Sequence, residues 1–219
     1  MMNKIVPVWK PTDISSYDVV RKIKSIYDMS KVGHCGTLDP FAKGVIIICT
    51  GTYTKKSQNF MDCHKTYTAE INVGHETDTL DHTGDIIKSS NKNILFNEKI
   101  LQNVLLKFNG EIDQIPPYFS AKKVCGVKMY SLARKDIFIR TKPFKVYINN
   151  LRLINFTNNT ITIEVNCNKG TYIRSLARDI CYELGTFGHL SKLERKSVGE
   201  YTRENSIDYN NLETCLLKN

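Results

Sequence analysis

The chain has 219 residues, 41% of them apolar, and carries 31 Lys and Arg against 22 Asp and Glu for a formal charge of +9. That is enough for one large globular domain, or one domain with a sizeable insertion, and no apolar run is long enough to cross a membrane as a helix. The seven cysteines are odd in number and contain no C-x-x-C, which argues against a disulfide framework or a zinc ribbon and fits reduced thiols in a cytoplasmic protein.

The N-terminus, MMNKIVPVWKPTD, has no apolar or Arg-rich targeting stretch. The basic excess suggests a polyanionic partner, because each neutralised phosphate releases counterions, with plain solubility as the competing reading. Residues 10–27, KPTDISSYDVVRKIKSIY, read as a loop feeding a helix, with Ser15 or Ser16 as cap and Val19, Val20, Ile23 and Ile26 on one face. Next comes KVGHCGTLDPFAKGVIIICTG, residues 31–51, which sets Asp39 in a Gly/Thr/Pro-rich turn before a continuous apolar run. The run predicts a strand buried on both faces. The turn is either ordinary Asp-Pro chemistry or a mount for a nucleophile. Histidine and cysteine stand side by side at 34–35 and 63–64, but neighbours in sequence rarely ligate one ion well, so no metal site is expected.

Residues 52–60 read as helical. KTYTAEINVG alternates, with Tyr67, Ala69, Ile71 and Val73 on one side, and predicts a strand. GHETDTLDHTGD then places four acids within ten residues in a loop. Asn97 caps a helix running to Phe108. Residues 110–145 mix prolines, aromatics and many Lys and Arg with little periodicity, and predict an extended insertion whose aromatics and cations suit phosphates and bases. TITIEVNC alternates as a strand. NKGTYIRSLARDICYELG follows as a helix with a stripe of Ile173, Leu176, Ala177, Ile180, Cys181 and Leu184. Arg174 lies off that stripe at the helix start, where the helix dipole disfavours a cation, so a carboxylate is expected beside it. The pattern predicts a mixed α/β (α+β) domain with a largely antiparallel sheet flanked by helices.

Five segments in order, KPTDISSYDVV, KVGHCGTLDPFAKGVIIICTG, KTYTAEINVGHETDTLDHTGD, QIPPYFSAKKVCGVKMYSLAR and NKGTYIRSLARDICYELGTFGHLSKLERKSVGEY, resemble the TruB family of tRNA pseudouridine synthases. These segments span residues 10 to about 201. The resemblance implies the pseudouridine synthase fold and a cofactor-free, metal-free isomerase that makes pseudouridine 55 in the TΨC arm of tRNA. It breaks the N1–C1′ bond of a uridine, turns the base and rejoins it through C5. It implies Asp39 as the nucleophile, Arg174 as its ionic partner, and Tyr67 as the residue that stacks on the base and assists proton transfer. From spacing alone, Tyr67 reads as a core residue. Tyr172 and Leu193 match positions that contact the uracil, and His34 matches the residue that meets the RNA where the base leaves its stack. Lys122, Lys123, Lys128, Arg134, Lys192, Arg195 and Lys196 are expected at the RNA backbone, and Asp78 and Asp81 are expected to be structural.

Cys35, Phe41 and Lys43 depart from the residues commoner in the family, and the neighbours of Cys35 give no sign of reactivity. The resemblance places a catalytic domain over residues 1–205 with the insertion at about 110–145. It leaves 206–219 as a short tail without the RNA-binding PUA-type domain usual in the family. The protein is expected to act as a monomer on tRNA, without membrane association. Two further readings compete: a tRNA-binding module with a vestigial site, and a synthase acting on rRNA within a guide-RNA complex. Every matched catalytic position holds the expected residue type, which favours the enzyme.

Overall fold

The computed structural model describes residues 3–90, 96–139 and 141–217. In chain order the elements are β1 (Ile5–Lys10), α1 (Ser16–Tyr27), β2 (Val32–His34), β3 (Lys43–Thr50), α2 (Ser57–Asp62), β4 (Lys65–Val73), β5 (His75–Thr77) and β6 (Ile86–Ser89). Then come α3 (Glu98–Leu106), β7 (Gly110–Gln114), β8 (Lys123–Val124), β9 (Val127–Lys128), α4 (Met129–Ala133), β10 (Phe144–Phe156), β11 (Thr160–Cys167), α5 (Ile173–Glu183), β12 (Gly188–Val198), β13 (Ile207–Asp208) and α6 (Leu212–Leu217). A 3-10 helix, Gly51–Lys56, precedes α2. The chain forms two compact units, Met1–Tyr67 with Leu193–Asn219, and Thr68–Lys192, so the divisions fall inside β4 and β12.

In the first unit β3 is the central strand. It runs antiparallel to β1 and to β2, while Glu194 and Arg195 of β12 run parallel to its first residues. Residues 44–50 are all buried, as an unbroken apolar run demands. One face of β3, through Ile46 and Ile48, packs with Val6, Val8, Val19, Val20 and Ile23. The other, through Val45, Ile47 and Cys49, packs with Cys35 and Val198. Helix α1 starts on a capping box, with the Asp18 amide donating to Ser15 Oγ at 3.2 Å and the Ser15 amide donating to Asp18 Oδ2 at 2.7 Å.

In the second unit β10 pairs antiparallel with β7 and β11, and β4 follows β11, with the first residues of β12 beside it. Leu101, Val104 and Leu105 of α3 and the Ile173–Cys181 stripe of α5 supply buried apolar residues. The largely antiparallel sheet with flanking helices agrees with the sequence reading.

Two boundaries differ. Residues 110–114 are a strand of the sheet, paired with 144–148, so the irregular segment is confined to about 115–143. GEIDQ is a sheet-edge strand with exposed alternate positions and little apolar content, which hid its period. The segment expected as a tail also belongs to the core: β13 pairs parallel with β1, and Leu212 and Leu216 are buried against α1 and β1 residues. Its last two residues lie outside those described. Replacing Leu212 by Ala should therefore cost about 3 kcal/mol in urea unfolding. A change within about 0.5 kcal/mol would show that the segment is only appended.

Candidate active site

Residues 35–42 cross from β2 to β3, and the carbonyls on either side of Asp39 are each held by a specific donor. Arg195, 1% exposed, donates Nε to Val45 O at 2.6 Å, Nη1 to Thr37 O at 3.2 Å and Nη2 to Gly36 O at 3.3 Å. Ser16 Oγ donates to Leu38 O and accepts from the Leu38 amide, both at 2.8 Å. Lys10 is fully buried, and its Nζ donates to Pro11 O, Ile14 O and Pro40 O at 2.7, 2.9 and 3.2 Å. The Asp13 amide also reaches Pro40 O, and the Ala42 amide closes a turn on Asp39 O at 3.1 Å. With carbonyls 36 to 40 satisfied, the backbone of Asp39 is fixed while its side chain stays half-buried in the loop between β2 and β3. The Asp-Pro turn is thus both ordinary turn chemistry and a rigid mount.

Burying a cation without a carboxylate against it is costly, and carbonyl dipoles offset that cost here. Burial and the nearby Arg195 lower the Lys10 pKa to about 8, with Asp39 among the charges that oppose the shift. Gly44 makes the Arg195 arrangement possible. A Cβ there would lie 2.2 Å from Arg195 O, and its φ is +126°.

In the second unit, Arg174 is buried at the start of α5. Its Nη1 donates to Thr79 O at 2.8 Å and its Nη2 to Phe119 O at 2.9 Å, while Asp81 Oδ2 lies 3.5 Å from Nη1. Asp81 is the carboxylate that the helix-start cation requires. Its other oxygen, Oδ1, accepts from Thr79 Oγ1, the Thr83 amide and Thr83 Oγ1 at 2.9, 3.0 and 2.5 Å. The loop that builds this cradle is strained: Leu80 is buried with φ +63°. A Cβ on Gly84 would meet Asp78 Oδ1 at 2.1 Å. Asp78 Oδ1 accepts from the Asp85 amide at 2.9 Å, so both acids organise the loop as expected.

The remaining site residues divide between the units. His34, half-buried at the end of β2, Tyr67 on the buried face of β4, and Leu193 on β12 belong to the first with Asp39. Tyr172 belongs to the second with Arg174. It precedes α5, and the fully buried Gln114 clamps its backbone, accepting from the Tyr172 amide at 2.8 Å and donating to Tyr172 O at 3.1 Å. Phe144 meets the Tyr172 ring edge-on at 6.2 Å.

Among the expected backbone-binding cations, Lys123, Lys128, Arg134, Lys192 and Lys196 are exposed and Lys122 is half-exposed. Lys122 sits over the Phe144 ring, Lys128 and Arg134 lie near Tyr130, and Lys192 pairs with Glu70. Arg195 is the correction. It shares the inward face of β12 with Leu193, its guanidinium donates to three carbonyls, and its burial keeps it from a phosphate. Lys10 was missed altogether, and Ser16 was read only as a possible helix cap. The signal for Lys10 was present in IVPVWK, where Val6, Val8 and Lys10 share one face of an alternating strand.

The fold is that of RNA-modifying synthases. A chain of the solved Cbf5-Nop10-Gar1 complex superposes with a TM-score of 0.74 at 27% identity over 96% of this chain, which spans about half (53%) of that one. Residues 24–173 match the N-terminal domain described as TruB family pseudouridylate synthase. The tRNA pseudouridine synthase B of Caldanaerobacter subterraneus subsp. tengcongensis is 46% identical over 203 residues, 92% of this chain and 71% of that protein. That of Clostridium tetani is 43% identical over 207 residues, again covering 71% of its length. The chain belongs to the TruB family of pseudouridylate synthases.

The depressed Lys10 pKa has a consequence for stability that does not depend on activity. Above about pH 8 the folded chain releases a proton that the unfolded chain holds until its ordinary lysine value, so this group's contribution to stability rises with pH. Urea unfolding of wild type and Lys10→Met should therefore diverge in favour of wild type from about pH 7 to about pH 10. A difference that stays constant over that range would show that Lys10 is not a buried, destabilised cation.

Proposed function

We propose that this chain isomerises uridine 55 in the TΨC arm of tRNA to pseudouridine, with Asp39 as its nucleophile and no cofactor. The observation that carries the assignment of Asp39 is its mount. Each carbonyl from residue 36 to 40 is hydrogen-bonded, while the Asp39 side chain stands half-buried in the loop between β2 and β3. A nucleophile needs that kind of pre-organisation, and a merely polar turn does not.

In the proposed reaction the target uridine leaves the folded arm and enters the site, and His34 meets the RNA where the base was stacked. The Asp39 carboxylate attacks the uridine, the N1–C1′ bond breaks, and the base turns. C5 then bonds to C1′, the Asp39 carboxylate is expelled from its adduct, C5 gives up its proton and N1 takes one from solvent, so the product has the composition of the substrate in a new connectivity. Arg174 takes the role that the resemblance gives it, the cationic partner of the nucleophile. Its guanidinium plane is already fixed by Thr79 O, Phe119 O and Asp81, so little ordering is left to do during reaction. Tyr67 stacks on the base and assists proton transfer, and Tyr172 and Leu193 line the uracil.

The basic and aromatic segment within 115–143 grips the RNA backbone through Lys122, Lys123, Lys128 and Arg134, with Lys192 and Lys196 adding charge from β12. We read the enzyme as a monomer. No helix among the described residues is long and apolar enough to cross a membrane, and we read the enzyme as acting in the cytoplasm on tRNA. The catalytic domain in this reading takes in the C-terminal β13 and α6, because they complete the core that supports β1 and β3.

The test is tritium release from an elongator tRNA transcript labelled at C5 of uracil. Wild type should release one equivalent per tRNA and Asp39→Asn none. A wild-type protein that binds the transcript and releases no tritium would overturn the enzymatic assignment in favour of a binding module.

A further inference from the structure

Cys35 opens the Asp39 loop and Cys49 lies near the far end of β3. Both are fully buried in the cluster formed with Val45, Ile47 and Val198. Their sulfurs are 3.3 Å apart although the residues are 14 positions apart in sequence. The register of β2 on β3 explains the meeting. Gly33 stands opposite Cys49, and the Cys35 amide bonds to Ile47 O, so the two cysteines are diagonal neighbours on one face. Gly33 has no side chain to intervene.

The two thiols are unequal. The hydrogen bond between the two sulfurs and the charge of Lys56 pull the Cys49 pKa down, while the same hydrogen bond and burial push the Cys35 thiol up. Proximity and this polarity together make a donor–acceptor pair of sulfurs, not two inert core residues.

We propose that Cys35 and Cys49 form a reversible oxidation site, closed to a disulfide by hydrogen peroxide, and that closure slows the Asp39 chemistry, a consequence that rests on the function proposed above. In the first step the Cys49 thiolate attacks one peroxide oxygen, the O–O bond breaks, and hydroxide leaves to be protonated to water, giving a sulfenic acid. The Cys35 sulfur then attacks the Cys49 sulfur, the S–O bond breaks, and a second water leaves with the Cys35 proton. Two thiols and one peroxide become one disulfide and two waters, and an added dithiol reverses the change. Burial restricts the oxidant to a molecule as small as peroxide.

Closure shortens the sulfur separation from 3.3 Å to about 2.0 Å. Cys35 is followed directly by Gly36 and Thr37, whose carbonyls Arg195 holds at 3.3 and 3.2 Å. The displacement therefore falls on the anchors of the Asp39 mount. A shift of about 1 Å at a catalytic group is enough to slow a reaction by as much as a hundredfold.

The experiment uses the full chain with Cys63, Cys125 and Cys215 replaced by Ser, so that half-buried and exposed thiols do not compete. After peroxide treatment and alkylation in denaturant, tryptic peptides 32–43 and 44–55 are examined without reductant, and turnover is followed by tritium release. The two peptides should be joined by a disulfide, with turnover down about tenfold and restored by dithiothreitol. Cys35→Thr in the same background should keep its turnover through the treatment. Separate peptides with free or over-oxidised cysteines would overturn the site. Joined peptides with unchanged turnover would overturn the control of activity. Reduced protein without turnover would sink the proposed activity and the control with it, while the peptide result would still decide the disulfide.

Discussion

Everything at the Asp39 end of the molecule depends on buried cations satisfying backbone carbonyls. A loop that holds a carboxylate in place must first dispose of its own polar groups, because an unpaired buried carbonyl costs as much as a lost hydrogen bond. Arg195 takes the carbonyls before Asp39 and Lys10 the one after it, with Ser16 between them at Leu38. Each anchor is delivered by a different element: β12 brings Arg195, β1 ends in Lys10, and the capping box of α1 sets Ser16. The core around β3 exists in this account to hold those three elements in register, which is why β3 is buried on both faces and why Gly44 yields space to β12.

The same device recurs around Arg174. Its guanidinium is oriented by two carbonyls, Thr79 O and Phe119 O, and balanced by Asp81, whose second oxygen is held by Thr79 and Thr83. The strained Leu80 shows that the loop is shaped for this cradle and not for its own comfort. Isomerisation of a uridine adds and removes no atoms, so catalysis rests on placement, and side chains already fixed by carbonyls serve it at little reorganisation cost.

Much of this was legible in the sequence. The buried β3, the Ser15 cap, the alternation of β4 and β11, and the stripe of α5 follow from periodicity and capping chemistry, and each is where the pattern puts it. The ordered segments around GTLDP, TDTLD and YIRSLARD were enough to identify the family. What was illegible depended on the far ends of long side chains. Arg195 reads as a phosphate-facing charge in KLERK, yet its alternation with Leu193 turns it inward. Lys10 reads as the start of a loop and acts as a clamp. The Cys35 partner lies across a strand pair, invisible to any argument from neighbours. The edge strand GEIDQ and the C-terminal IDYNNLETCLL were misplaced because short, half-exposed elements carry too few apolar positions to show a period.

The central claim is that Arg195 acts on catalysis through the Asp39 mount and not by touching RNA. The direct measurement is the single-turnover isomerisation rate of Arg195→Lys at saturating protein, set beside its tRNA dissociation constant and that of wild type. The account predicts a rate lower by about a hundredfold with binding unchanged within about twofold. A weakened affinity with an unchanged rate would contradict it, and would return Arg195 to the phosphate contacts at which the sequence alone had placed it.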